Sequence, residues 1–324
     1  SGLAFAPENG EPGRMLPSRS GSIPLFRLLG VRVYLHWWWF VFAVFEIALR
    51  SRIYASFAWN VAEYVALFLI VLLHEYGHAL ACRQTGGKAD EIILWPLGGV
   101  AFVRPPPRPG AELWSIAAGP LVNVLLVPVI VALIWARTGL GWGAGSSDYR
   151  HFLLALFWIN TGLLAFNLLP VYPLDGGQIL RSLLWFRLGR ARSLQVATVL
   201  GMVGVVLLAA GLLWLQPQRW LFTLMMGGFL ASQCLAGFRH ARLIRTLERL
   251  PRHASFRCPE CGQAPPGGPL WSCPACGNPS DPFSTGGVCP HCAKPRAFIP
   301  CPHCGAEKPP AAWGAVRTPP VIDV

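Results

Sequence analysis

Val61 to Cys82 is an apolar run of the length needed to cross a bilayer, and it carries His74, Glu75 and His78 within five residues. About 20 apolar residues span the hydrocarbon core as a helix. An ionised side chain at the centre of such a helix costs roughly 2.5–3.5 kcal/mol on insertion scales. Three titratable groups so close together therefore need a compensating partner, and a metal ion is the natural one. The segment reads His74-Glu75-Tyr76-Gly77-His78, an HExxH pattern. Residues i and i+4 share a helix face, so both imidazoles can reach one zinc. Glu75 points to the side, where a general base can reach the attacking water.

The rest of the chain supports a membrane setting. Of its 324 residues 53% are hydrophobic and 13% charged, against about 25% charged in soluble domains. That excludes a disordered chain and an ordinary soluble enzyme. Five further stretches are read as spans: Val31 to Leu49, Trp114 to Trp135, Phe152 to Leu169, Leu194 to Leu215 and Trp220 to Phe238. Trp114, Trp135, Trp214 and Trp220 stand at span ends, where interfacial aromatics belong. Basic residues outnumber acidic ones 27 to 15, a net charge of +12. They concentrate on alternate connections: Arg14 to Arg32, Arg83 to Arg108, Arg181 to Arg192 and Arg239 to Arg252. By the positive-inside rule both termini face the cytoplasm. The basic balance is thus topology, and it calls for no nucleic acid. His36, Glu46 and Glu63 are assigned to snorkelling or helix pairing. His151 and His240 lie at span boundaries.

A catalytic zinc usually takes three protein ligands and leaves one position open. HExxH sits near the cytoplasmic end of its span, and the fourth span runs the same way. At that end stands Asn167-Leu-Leu-Pro170-Val-Tyr-Pro173-Leu-Asp175-Gly176-Gly177. Asp175 arrives at a similar depth. Irregular backbone there is tolerated only where protein or a water-filled cavity covers it. Taken alone, this stretch suits a helix-ending turn with a capping Asp slightly better than a ligand site.

Together, HExxH and the distant NxxPxxxLDGG resemble the site-2 protease family of intramembrane zinc metalloproteases, over about residues 24–235. The resemblance implies His74, His78 and Asp175 as zinc ligands, Glu75 as the base, and Asn167 as the residue that polarises the scissile carbonyl or steadies the oxyanion. Ala118-Gly119-Pro120-Leu121-Val122-Asn123 is similar to the family's AGPxxN. It leaves Asn123 either a role near the site and its substrate or one in helix packing. Ile92 to Val103 reads as a hairpin or re-entrant sheet, resembling the family's membrane-associated strands. Gly98 and Gly99 would let an unwound substrate lie along its edge.

Cys82 and Cys234 stand alone in apolar surroundings and read as small hydrophobes. The other eight cysteines form four CxxC knuckles, a zinc pattern in a reducing compartment. By adjacency, Cys258, Cys261, Cys273 and Cys276 make one site, and Cys289, Cys292, Cys301 and Cys304 the second. The segment resembles a double zinc ribbon, with folding energy supplied by metal binding.

The expected architecture is an all-α polytopic membrane protein. Six transmembrane helices carry a small membrane-associated β element, and a small zinc-ribbon domain follows. Its parts are a flexible tail (1–24), the metalloprotease domain (25–240), a basic juxtamembrane linker (241–255), the double ribbon (256–305) and a Pro-rich tail (306–324). The expected protein is an intramembrane zinc metalloendopeptidase of the cell (inner) membrane, with one catalytic and two structural zinc ions. Its partners are the lipid bilayer, membrane proteins with a transmembrane segment, and a cytosolic protein at the ribbon. The rival readings are a non-catalytic scaffold displaying the ribbon and a metal transporter.

Overall fold

The structure, a computed structural model, describes residues 21–95, 98–143 and 145–314. Most of the expected tails, 1–20 and 315–324, lies outside the described residues. The chain forms two compact units that divide between Ala241 and Arg242.

The first unit is mostly helical, with one sheet. Strands β1 (Ser22–Leu28) and β2 (Val31–His36) lead into helix α1 (Trp38–Arg50). Helix α2 (Phe57–Gln84) is followed by β3 (Lys88–Trp95) and β4 (Gly98–Arg104). Then come α3 (Pro109–Gly139), α4 (Ser147–Asn167), α5 (Asp175–Leu188), α6 (Arg190–Leu215) and α7 (Trp220–Arg249). Among the described residues four helices are long and apolar enough to cross a membrane: α2, α3, α6, and α7 with the turn before it. Their outward side chains are apolar: Leu207, Trp214, Leu221 and Met225 are all exposed. This is an integral membrane protein.

The first expected span is not one helix. Val31 to His36 is strand, and α1 has only 13 residues. Six strand residues reach about 20 Å and 13 helical residues about 20 Å, so neither alone crosses a core of about 30 Å. Laid in series they reach about 40 Å. Contacts along α2 show that they are laid so: Arg83 donates to Gly30 O (3.1 Å), Tyr64 to Trp39 O (2.6 Å) and Asn60 to Ile47 O (2.8 Å). β2 and α1 therefore run antiparallel to α2 as one composite track. Asp148 at the start of α4 accepts from Ala55 and Ser56 N–H (both 2.9 Å), fastening the far end of that track.

The sheet order is β1-β2-β3-β4, with β2 and β3 parallel and the outer pairs antiparallel. The expected hairpin is thus half of a larger sheet, and residues 22–24 of the expected tail belong to β1. Side chains alternate between faces of a strand. Val31, Val33 and Leu35 turn inward and pack on Val71, Leu72, Tyr76 and Ala79 of α2. Arg32 turns the other way. It stands in register with Arg27 and Glu91, and Glu91 with Phe102, so these four form a row across the outer face.

Small residues bring the helices close. A Cβ at Gly77 of α2 would lie 2.6 Å from Ala118 O of α3. Arg181 of α5 donates to Glu112 of α3 at 2.7 Å. The Tyr172 ring and backbone lie against Gly201 of α6 and Gly237 of α7, and Cys234 Sγ donates to Tyr172 O at 2.8 Å. The loop between α4 and α5 is anchored on these two helices.

In the second unit α7 carries the basic segment on as helix to Arg249. Beyond it lie two small hairpins, β5–β6 (Trp271–Ser272, Pro279–Ser280) and β7–β8 (Ile299–Pro300, Glu307–Lys308). Trp271, Phe283, Ile299 and Trp313 form their core. Trp313 places residues past 305 in the ribbon core.

Candidate metal centre

His74 and His78 lie one turn apart on the buried face of α2. Asp175, the first residue of α5, meets them. It therefore opens a helix and does not merely cap the end of α4. The two Nε2 atoms are 3.1 Å apart, and Asp175 Oδ2 lies 3.1 Å from His74 Nε2 and 3.4 Å from His78 Nε2. All three residues are buried.

The proton placement explains why these atoms need a cation. His78 Nδ1 faces Ser115 O at 2.9 Å, so it must carry the proton and donate. Its Nε2 is then a lone pair. His74 Nδ1 faces Asn123 Oδ1 at 2.5 Å. The Asn123 amide is oriented by its own donation to Asn160 Oδ1 (2.8 Å), while Asn160 donates back to Asn123 O (2.9 Å). That network assigns the oxygen to His74. Two lone pairs thus converge on Asp175 Oδ2, itself buried with no hydrogen-bond partner. Such a cluster is repulsive without a positive ion. Tetrahedral ligands about 2.0–2.1 Å from zinc stand about 3.4 Å apart, close to these separations. Two imidazoles and one carboxylate with a position open suit zinc.

Glu75 stays out of this set. Its Oε2 accepts from Ala101 N–H of β4 at 2.9 Å. Gly99 lies against it, and a Cβ there would collide with Glu75 Cγ and Cδ. Gly99 is therefore a clearance for Glu75, which is a different use from the substrate contact expected of it. Gly98 pairs with Trp95 at the hairpin end. Asn123 is fully buried on His74. This corrects its assignment as a substrate contact: a side chain closed off by His74 and Asn160 has no free surface, and it positions the imidazole. Asn167 ends α4, half-buried, and its side chain bonds to no described residue.

Three contributors were missed in the sequence. Ser115 holds His78 through its carbonyl, a backbone role with no residue signature. Gly119 lies where a Cβ would strike His78 and His74 Nε2. Asn160 was the most findable, being an amide inside an uncharged span, where a polar group calls for a partner.

The cysteines form two clusters, but paired differently from expectation. Cys258 and Cys261 join Cys301 and Cys304, while Cys273 and Cys276 join Cys289 and Cys292. Sulfur separations across the pairs are 3.7 Å for Cys258–Cys304, 3.8 Å for Cys261–Cys301 and 3.7 Å for both Cys273–Cys292 and Cys276–Cys289. Four sulfurs about 2.3 Å from zinc stand about 3.8 Å apart. The four knuckles are locally alike: the N–H groups of Cys258, Cys273, Cys289 and Cys301 each donate five residues on, at 2.9–3.0 Å. Local sequence therefore cannot choose partners. Arg296 chooses the inner pair by donating to Trp271 O, Ser272 O and Ser280 Oγ. The Arg257 N–H, donating to Trp313 O (3.1 Å), closes the outer pair. N–H donors from Ala275 and Cys276 pull the Cys273 thiol down to about 6, the thiolate state a metal requires.

A pairing test follows. Cys258→Ser with Cys304→Ser is expected to remove one zinc from the second unit, whereas Cys258→Ser with Cys273→Ser should remove both. Metal counting by mass spectrometry distinguishes them, and the reverse, two ions lost in the first variant and one in the second, would refute the nested arrangement in favour of adjacent pairing.

Fold and site together define a polytopic membrane domain with a three-residue candidate metal centre. Residues 62–145 and 142–211 match the model of peptidase family M50. The chain is 36% identical to a zinc metalloprotease of Methanocaldococcus jannaschii over 193 residues, 59% of this chain and 54% of that one. It is 34% identical to stage IV sporulation protein FB of Bacillus subtilis over 118 residues, 36% of this chain and 38% of that one. The chain thus spans about half the length of the first of these, and less of the second. A solved site-2 protease from Methanocaldococcus jannaschii aligns at 28% identity with a TM-score of 0.43, covering 68% of this chain and 94% of that one.

Proposed function

We propose that this chain is an intramembrane zinc metalloendopeptidase that hydrolyses peptide bonds in or near transmembrane segments of membrane proteins. One observation carries the proposal. Two imidazole lone pairs and an orphaned carboxylate oxygen converge inside a bundle of apolar helices, with an uncoordinated Glu75 beside them. In this reading His74, His78 and Asp175 hold the catalytic zinc, and the two cysteine clusters hold one structural zinc each. When bound, zinc supplies Lewis acidity that brings the pKa of water to about 7 and polarises a carbonyl.

The chain's own residues do the rest. Asn123 and Ser115 hold both imidazoles with Nε2 toward the metal. Glu75, tethered at Oε2 by Ala101, takes a proton from the attacking water and delivers it to the leaving amine. The Asn167 carboxamide donates to the developing oxyanion. A substrate helix conceals its peptide bonds in its own hydrogen bonds, so it must unwind first. The β4 backbone beside Glu75 offers an edge for the opened strand.

The composite track of β2 and α1, with the shorter α4, would complete six crossings. The arginine pattern then puts both termini in the cytoplasm, in the cell (inner) membrane. The ribbon domain from about residue 256 would offer cytosolic proteins a surface. A bare scaffold has no use for Glu75 held beside three ligands, and neither has a metal-transit path.

The test is reconstitution in proteoliposomes with a panel of single-span reporters. Wild-type protein is expected to bind three zinc ions per chain and to release reporter fragments, and 1,10-phenanthroline should stop release. Two zinc ions, with none held by the membrane unit, would favour the scaffold.

A further inference from the structure

The two imidazoles of the metal centre are held by unlike partners. His78 Nδ1 faces the peptide carbonyl of Ser115. That oxygen can only accept, so one contact fixes the proton on Nδ1 and the lone pair on Nε2. His74 Nδ1 faces a side-chain amide instead, Asn123, at 2.5 Å. An amide has an oxygen at one end and N–H donors at the other, alike in size, so shape alone does not choose between them. Turned round, Asn123 would donate to His74 Nδ1. The imidazole proton would then sit on Nε2, the atom that faces Asp175, and His74 would be no ligand.

The choice is made one helix away. Asn160 of α4 is fully buried. Its Nδ2 donates to the peptide carbonyl of Asn123 at 2.9 Å, again a group that can only accept. That leaves Asn160 Oδ1 turned to the Asn123 side chain, where it accepts from Nδ2 at 2.8 Å. A reversed Asn123 would set two oxygens against each other where neither has any exposure, which is costly for buried polar groups. The order therefore runs from a backbone carbonyl through two amides to an imidazole.

We propose that Asn160 is a positioning residue for the metal: it fixes the Asn123 amide, and through it the His74 tautomer that leaves Nε2 free to bind zinc. The inference rests on zinc at His74, His78 and Asp175, as in the function proposed above. It assigns part of the metal affinity to a residue outside HExxH, AGPxxN and NxxPxxxLDGG. Partners of this kind, one step behind a ligand, orient the ring and set how well it binds.

The test is a double-mutant cycle on zinc affinity. Full chains in nanodiscs are equilibrated with chelator-buffered zinc, and bound ions are counted by native mass spectrometry. His74→Ala gives the ribbon's share, which is subtracted. Asn160→Leu keeps the branched outline and removes both bonds, and affinity for the membrane ion should fall about 10- to 100-fold. Asn123→Asp presents an oxygen to His74 whichever way its carboxylate turns. In that background Asn160→Leu should cost no more than about twofold, the scatter of independent sites. A loss of the same size in both backgrounds would reduce Asn160 to helix packing. Unchanged affinity in Asn160→Leu alone would remove it from the site. Should Asn160→Leu not be recovered folded, Asn160→Ala puts the same question without added bulk and carries the same two expectations. A wild-type chain without a membrane ion would overturn this inference together with the proposed function, whereas the two failures above overturn the inference alone.

Discussion

Glu75→Gln is expected to leave zinc content at the wild-type value and to slow reporter cleavage by about 100- to 10,000-fold, the contribution of a positioned general base. The metal prediction rests on geometry. The converging atoms belong to His74, His78 and Asp175, and Glu75 Oε2 is occupied by Ala101 N–H. Gln keeps an oxygen that can accept that bond while losing the ability to take a proton. Loss of activity with metal retained therefore separates proton transfer from metal binding. Undiminished cleavage would remove Glu75 from the mechanism. Parallel loss of zinc would make it a ligand.

Gly119→Leu should be as damaging by another route. A Cβ at this position would overlap His78 Nε2 and Cε1 and lie 2.9 Å from His74 Nε2, so any side chain enters the space meant for the ion. The membrane zinc should be lost and the ribbon's two retained, with cleavage undetectable. Even Gly119→Ala should weaken membrane zinc binding, although Ala replacing Gly inside a helix ordinarily gains about 1 kcal/mol. Gly211→Ala in α6 is the control, because nothing lies within 4 Å of that Cβ. Full zinc occupancy in Gly119→Ala would show that the helices can separate at no cost, contrary to their close approach at Gly77.

These two positions illustrate what could be read from the chain alone. Glu75 was legible because HExxH binds residue type to helical period, and Asp175 because two spans running the same way deliver their ends to one depth. Gly119 could be read as a packing residue, but not as the floor of the metal site. That role depends on the rotation of α3 against α2. The strand at the start of the first span escaped notice for a related reason. Val31-Arg-Val-Tyr-Leu-His36 alternates with period two, yet hydropathy summed over a span averages the alternation away. The pairing of the knuckles was undetermined because all four are locally the same; one buried guanidinium in the loop after the third knuckle selects the inner pair, and a backbone bond to Trp313 closes the outer one.

The nested ribbon carries its own order of assembly. Cys276 and Cys289 are 13 positions apart, whereas Cys261 and Cys301 are 40. Closing the longer loop from an open chain costs about 1 kcal/mol more, but once the inner knot is tied most of that separation is already spanned. The inner ion should load first and leave last, and the outer ion becomes a latch that opens without undoing what it encloses. Progressive chelation would then pass through a half-metallated chain whose folded remnant is the middle of the domain and whose frayed parts are the two outer knuckles, at Cys258 and Cys261 and at Cys301 and Cys304.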